Sequence, residues 1–403
     1  MIDTVILRVN YPNFRISPSV YRKFSPSAHG IFGPPYYSFG SGKVIKCVLQ
    51  IKAKDKKLGV YQPRVTLMKA VRAGGVSVFL HIEFSAPKIL YNNNFDELSS
   101  GDFKAVCAEL YRKLYKLGIE IKRSQIERAE VKTIHFGKNI IFDDYRTAAS
   151  VIGDIAKANV STRKQADMRV YRNDGEALHF YSASQAIAIY DKRRELAKSR
   201  VSERGLLEKD NYCQLTLFDN IRSKKPFEVV RVEARYNTKR AFNTALKHAL
   251  EYGRASDSVM KLTTKQKLVF VDIFNEELAK TLLEYEFAQI EAKNLDLNET
   301  IMNTATSFLH EINTLNPKAT LAQRLETLAI WSLMRETGSR DVRKMTGANS
   351  AQWSRLTKKI SKIYFRTRKS SSTSYIEDKL AEFKQVRLLE YFTELSKVRA
   401  GPD

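Results

Sequence analysis

Long apolar runs are missing from this chain. No stretch approaches the roughly 18 consecutive apolar residues that a membrane-spanning helix needs, and the opening MIDTVILRVN lacks the pattern of a secretory leader. Cysteine is scarce. Cys47, Cys107 and Cys213 stand far apart with no CxxC spacing, which predicts a reduced, cytoplasmic protein without disulfides or a structural zinc. No GxxxxGK[ST] or strand-linked GxGxxG occurs, which argues against an NTPase or a dinucleotide enzyme. HExxH and GxSxG are absent as well. Acid is in deficit: 44 acidic residues face 68 basic ones, a net charge of +24 over 403 residues. Such an excess points to a polyanionic partner, nucleic acid first and an anionic membrane surface second.

What is present reads as two regions. Alternation with period two marks strands. Ile2, Val5, Leu7 and Val9 give a first strand over residues 1–10, and residues 11–42 read as irregular. Lys43–Lys54 and Tyr61–Val71 are expected as a hairpin. Val76–Phe84 is a strand with Leu80, Ile82 and Phe84 on one face and His81 and Glu83 on the other. Ser99–Leu117 has helical spacing and stops at Gly118. Ile119–Phe136 is expected as one strand with Ile126, Arg128, Glu130 and Lys132 on a common face, and Asp143–Asn159 as a helix. Strands follow at Met168–Arg172, Ala177–Tyr181, 186–190 and Phe227–Tyr236, then a helix at Ala241–Tyr252. Past about residue 255 the period turns helical, with Lys265–Asn294, Leu297–Asn313, Leu321–Glu336 and Ser350–Tyr364 as successive helices. The predicted fold is α+β: a mostly antiparallel sheet with flanking helices over residues 1–255, then an all-α region over 256–403.

The most informative stretch is AIAIYDKRRE, Ala186–Glu195. Alternation puts Tyr190 on the face of Ala186 and Ala188, opposite Ile187 and Ile189. Two alanines leave room before the phenol, and Lys192, Arg193 and Arg194 supply cations that can hold a phosphate. Taken alone, the stretch is also an ordinary strand tyrosine running into a basic helix start. Three carboxylates, Glu83, Glu130 and Glu233, lie mid-strand beside charged partners, and His81 shares the face of Glu83. A solvated outer face is the plain reading of each. Together they offer the oxygen-rich set that Mg²⁺ or Mn²⁺ prefers, and such an ion polarises a phosphoryl oxygen.

Several of these segments, in this order, resemble the gene II/X replication initiators of filamentous phages. MIDTVILRV is similar to that family's start. FLHIEFSAPKILYNNNF places Glu83 at the family's glutamate, and IERAE keeps Arg128 with Glu130 in place of an aspartate. IYDKRREL resembles the block carrying the nicking tyrosine, which implies that role for Tyr190. VVRVEARYNTK supplies Glu233 and Arg235, and ANSAQWSRLTKKI resembles a later block. YSASQAIAIYDKR is similar to the tyrosine motif of plasmid rolling-circle initiators, with Ala188 where those carry an arginine. Of the two histidines in the HUH signature, HIE at 81–83 keeps at most one.

The resemblance implies an HUH-like nickase that starts rolling-circle replication. Tyr190 would attack a phosphodiester of the plus-strand origin, forming a 5′-phosphotyrosine adduct and a 3′-hydroxyl primer, with Lys192 steadying the oxygen or the phosphate. Glu83, Glu130, Glu233 and His81 would hold one Mg²⁺ or Mn²⁺. Arg128, Arg193 and Arg235 would contact DNA. The helix-turn-helix-like end, with Arg355, Lys358, Lys359 and Lys362, would bind origin duplex. Implied partners are single- and double-stranded origin DNA with host helicase and polymerase in the bacterial cytoplasm, no membrane, and self-association left open. Tyr181 or Tyr171 as a second nucleophile is likewise open. The competing expectation is a non-enzymatic DNA-binding regulator of a phage or plasmid, which leaves Tyr190 and the glutamates without a task.

Overall fold

Val5, Leu7 and Val9 are buried on one side of the first strand while Thr4, Ile6 and Arg8 stand on the other, as alternation requires. The computed structural model describes residues 1–25, 28, 31, 44–50, 61–72, 75–142, 147–156, 169–172, 176–195, 228–251, 256–263, 265, 267–291, 308–309, 312–313, 316–364 and 371–387. The strands are β1 (Ile2–Asn10), β2 (Arg15–Ile16), β3 (Phe24–Ser25), β4 (Val44–Leu49), β5 (Arg64–Arg72) and β6 (Gly75–Ser85). They continue with β7 (Ile119–Glu120), β8 (Glu130–Phe142), β9 (Arg169–Arg172), β10 (Ala177–Tyr181), β11 (Gln185–Asp191) and β12 (Glu228–Tyr236). Ten of them form one sheet in the order β3-β4-β5-β6-β1-β8-β12-β11-β10-β9, and β2 pairs with β7. Every named pairing is antiparallel. The fold is thus α+β, built on a large antiparallel sheet with many helices.

One face of the sheet is apolar and carries the helices. Leu7, Ile82, Phe84, Phe136, Ile187, Ile189 and Val232 share a cluster with Leu110 and Val106 of the helix Phe103–Lys116, Ile152 of Ala148–Ala156 and Leu246 of Lys239–Glu251. The same cluster takes in Phe270, Leu282 and Leu283, then Ile376, Leu380 and Phe383, so it draws on both sides of residue 255. A second, smaller cluster joins Phe308, Trp331, Met334, Val342 and Trp353, with Phe308 stacked on Trp331 at 4.3 Å. It lies among the helices Leu321–Thr337, Ser339–Thr346 and Ser350–Tyr364. Among the described residues no helix is long and apolar enough to cross a membrane.

Two sequence expectations are corrected. Ile119–Phe136 is not one strand: β7 gives way to a helical turn, Arg123–Glu127, before β8 begins at Glu130. Ile126 is fully buried there and Arg123 pairs with Glu127 one turn on, at 3.6 Å, so a local helical period wins over alternation. Ile126 and Arg128 therefore do not share a strand face with Glu130 and Lys132. The helix expected over Lys265–Asn294 is broken into Phe270–Ile273 and Glu276–Glu291, because Phe274 leaves helical geometry and the Asn275 side chain accepts from Leu278 N at 3.2 Å to cap a new start. A further helix that helical spacing did not mark, Ser371–Glu382, buries Ile376 and Leu380 four residues apart. Leu297–Asn313 and the flanks of Asp143–Asn159 fall mostly outside the described residues, as does Cys213.

Candidate functional site

The other face of the sheet is polar, and its register assembles a group around Tyr190. Across β11 and β12, Tyr190 faces Arg231, Ala188 faces Glu233 and Ala186 faces Arg235. Across β12 and β8, Arg231 faces Asn139, Glu233 faces Gly137 and Arg235 faces His135. Glu233 thus stands between two residues with little or no side chain, and it uses the room to reach diagonally. The Tyr190 hydroxyl donates to Glu233 Oε2 at 3.2 Å, and Arg235 Nη2 donates to the same oxygen at 2.8 Å. His135 Nδ1 lies 3.4 Å from Oε1. Glu233 is 2% exposed, so its charge is compensated by these neighbours rather than by water.

Two titrations move apart as a result. Burial around the Tyr190 hydroxyl, then the Glu233 charge, raises the phenol well above its usual pKa of 10.0. For Glu233, burial works toward a raised value, but Arg235 and the His135 hydrogen bond outweigh it and hold the carboxyl well below the ordinary range. At neutral pH the pair is a protonated phenol hydrogen-bonded to an ionised carboxylate. Such a pair can pass a proton from nucleophile to carboxylate as a bond to phosphorus forms.

Behind this row lies a buried frame. Arg231 pairs with Asp3 at 3.1 Å and donates to Asn94 O at 2.8 Å and Asn139 Oδ1 at 3.1 Å. Asn139 Nδ2 donates to Phe95 O at 2.6 Å, and Lys138 Nζ to Glu97 Oε2 at 2.6 Å and Lys384 O at 2.7 Å. Lys192 is fully buried, pairs with Glu195 at 2.9 Å and sets its Nζ 5.7 Å from the centre of the Tyr190 ring. Of the expected catalytic pair, then, Lys192 lies beside Tyr190 with its charge engaged by Glu195.

The four expected metal ligands are not brought together. Glu83 and Glu233 sit on strands three steps apart, about 14 Å at the usual spacing. Glu83 faces Arg64 at 3.9 Å, Glu130 binds Lys132 at 2.8 Å, and Glu233 is held by Arg235. His81 lies across from Arg8; burial, then Arg8, lowers its pKa to about 4. Among the described residues no group of three or more His, Cys, Asp or Glu side chains is placed to hold a metal ion. Four ligands dispersed among cations do not fit one divalent ion.

Of the expected DNA contacts, Arg235 belongs to the Tyr190 group, Arg193 is half-buried just after β11, and Arg128 is exposed at the end of Arg123–Glu127. Arg355 and Lys358 are exposed on the helix Ser350–Tyr364; Lys359 and Lys362 fall outside the described side chains, as does Tyr171. Tyr181 lies on β10 opposite Ala186. Sequence reasoning missed His135, Arg231, Asn139 and Asp3. Its available signal was Gly137 inside a strand, which marks a close approach of another group.

Compared with protein families, curated proteins and solved structures, the chain matches none.

Proposed function

We propose that this protein nicks and rejoins single-stranded DNA at a replication origin by tyrosine transesterification, as a rolling-circle initiator of the HUH type. The observation that carries the reading is the hydrogen bond from the Tyr190 hydroxyl to an ionised, buried Glu233 carboxylate. Tyr190 Oη attacks the scissile phosphorus, the bond from phosphorus to O3′ breaks, and the 5′-phosphate stays on the tyrosine. The phenolic proton passes to Glu233, and the departing O3′, on the opposite side of the phosphorus, takes a proton from solvent, leaving a hydroxyl that primes a polymerase. Arg235 keeps Glu233 ionised until the proton moves. Reversal with a second 3′-hydroxyl rejoins the strand, and because the phosphotyrosine bond retains the energy of the linkage, no nucleotide is consumed.

The net charge of +24 supports a polyanionic substrate. So does the arrangement of Ser339–Thr346 and Ser350–Tyr364 about a three-residue turn, with Gly347 at φ +60° ending the first helix. We read this pair as a helix-turn-helix whose second helix would set Arg355 and Lys358 on origin duplex, while Trp353 belongs to the small apolar cluster. Mg²⁺ or Mn²⁺ remains part of the proposal as an added component of the assay, with no step assigned to it.

The test is a labelled origin strand incubated with the protein, with and without each metal, and run on a denaturing gel. A covalent adduct in wild type that is lost in Tyr190→Phe and reduced in Glu233→Gln supports the reading. An adduct that persists in Tyr190→Phe moves the nucleophile elsewhere. No adduct on any strand, with tight duplex binding, leaves the non-enzymatic regulator.

A further inference from the structure

The helix Phe103–Lys116 turns Phe103, Val106, Cys107, Leu110 and Leu114 into the core. Its outward face carries Lys104, Ala105, Tyr111, Arg112, Tyr115 and Lys116, all exposed. Tyr111 and Tyr115, one turn apart, are 41% and 58% exposed, and their rings stack at 6.2 Å with 23° between planes. Two large rings on a solvent face contribute nothing to the core and place apolar surface in water. The exposed charges around them are mostly basic. Over residues 103–117 there are four cations, Lys104, Arg112, Lys113 and Lys116, and one acid, Glu109. Glu109 is half-buried and engaged by Arg112 at 2.6 Å and Lys113 at 3.5 Å. Arg123 donates to Lys104 O at 2.8 Å, and Glu127 pairs with both Lys104, at 3.0 Å, and Arg123, at 3.6 Å, so two exposed cations share one acid beside the face.

We propose that this face is a binding surface for single-stranded nucleic acid, with Tyr111 and Tyr115 as a platform for unpaired bases and Lys104, Arg112 and Lys116 along the backbone phosphates. Aromatic rings beside a row of cations take up unpaired strands of any sequence, because every base has a face to stack. A duplex keeps its base faces inside and meets only the cations. The surface lies on the helical layer, on the opposite side of the sheet from Tyr190, so it does not rest on the transesterification reading and would hold strand away from the site of chemistry.

Fluorescence anisotropy of a labelled oligothymidylate and of a labelled duplex, with the full chain, tests the assignment. Tyr111→Ala/Tyr115→Ala is expected to weaken the single strand by about tenfold or more, as loss of stacking does, and to leave the duplex unchanged. Tyr111→Phe/Tyr115→Phe keeps the rings and should bind as wild type does. Arg112→Gln/Lys116→Gln should lower the salt dependence of single-strand binding by about one unit of slope. Unchanged single-strand affinity in the alanine pair overturns the proposal. So does equal weakening of single strand and duplex, or a loss as large in the phenylalanine pair. Sedimentation showing a dimer that the alanine pair dissolves, with oligothymidylate binding intact, would reassign the face to contact between copies of the chain.

Discussion

Arg231 lies across Gly137 so closely that a Cβ at residue 137 would stand 2.7 Å from Nη2 and 2.9 Å from Nε. Gly137→Ala must therefore push the guanidinium away from Asp3, Asn139 and Asn94. A loss of about 1–3 kcal/mol in unfolding free energy is expected, the usual scale of overpacking. Urea titration measures it, and a wild-type midpoint would contradict the close approach.

Lys138 and Glu97 are both buried and 2.6 Å apart. Although burial opposes ionisation, Lys138 helps hold the Glu97 carboxyl below its usual pKa. Lys138→Met strands that charge, and a destabilisation of about 3–5 kcal/mol is expected. Adding Glu97→Gln should restore part of the loss, so a double-mutant cycle must be non-additive. Additive values would mean that the pair acts as two independent groups.

Alkaline pH should act through Tyr190. Its folded pKa lies above the unfolded value near 10, because burial and Glu233 disfavour the phenolate. Its stabilising contribution is then complete below about pH 10 and is lost as pH rises through the folded value. Tyr190→Phe should lose less stability over that range than wild type does, although Tyr236, also raised by burial, keeps some of the dependence. Denaturation midpoints followed through the alkaline range decide the matter.

On the acid side two windows separate. The His81 pKa is lowered from 6.5 to about 4, by burial first and Arg8 second. A base so depressed stabilises fully above its unfolded value and loses that contribution as pH falls from 6.5 toward 4. Glu233, held well below its usual value, contributes fully above about 4.3 and loses it only at lower pH. His81→Asn should flatten the upper window and Glu233→Gln the lower one. In an NMR titration the His81 imidazole should stay neutral through pH 6; protonation there would show the ring to be solvated.

The faces of β6, β11 and β12 were legible because alternation reports which side a residue takes. Partner identity was not. Nothing in AIAIYDKRRE or VVRVEARY says that Ala188 will oppose Glu233; the sheet register does, and only then does the carboxylate meet the phenol. His135 is not legible from the sequence because alternation ends the strand at Phe136, whereas β8 runs on through Gly137–Asn139 to Phe142. The metal set shows the converse limit. Glu83, Glu130 and Glu233 do have polar surroundings, but sharing a polar face over a wide sheet leaves Glu83 three strands from Glu233, and Glu130 at the far end of β8 from Gly137, which opposes Glu233. Helical spacing marked Leu321–Glu336 and Ser350–Tyr364 closely, whereas Ser371–Glu382 hid behind a serine-rich start whose helix is secured by tertiary burial of Ile376 and Leu380.

Glu97 accepts from Val386 N at 3.0 Å across 289 positions of sequence, and Lys138 donates to Lys384 O across 246. The frame behind Tyr190 therefore contains backbone that a ribosome adds only near the completion of this sequence. Until residues 384–386 emerge, Lys138 and Glu97 have each other but lack Lys384 O and Val386 N. Contacts of such span make for slow folding, and here they also set an order of events: a chain interrupted before that point would carry the sheet and the Tyr190–Glu233–Arg235 group but leave the buried Lys138–Glu97 pair open on one side.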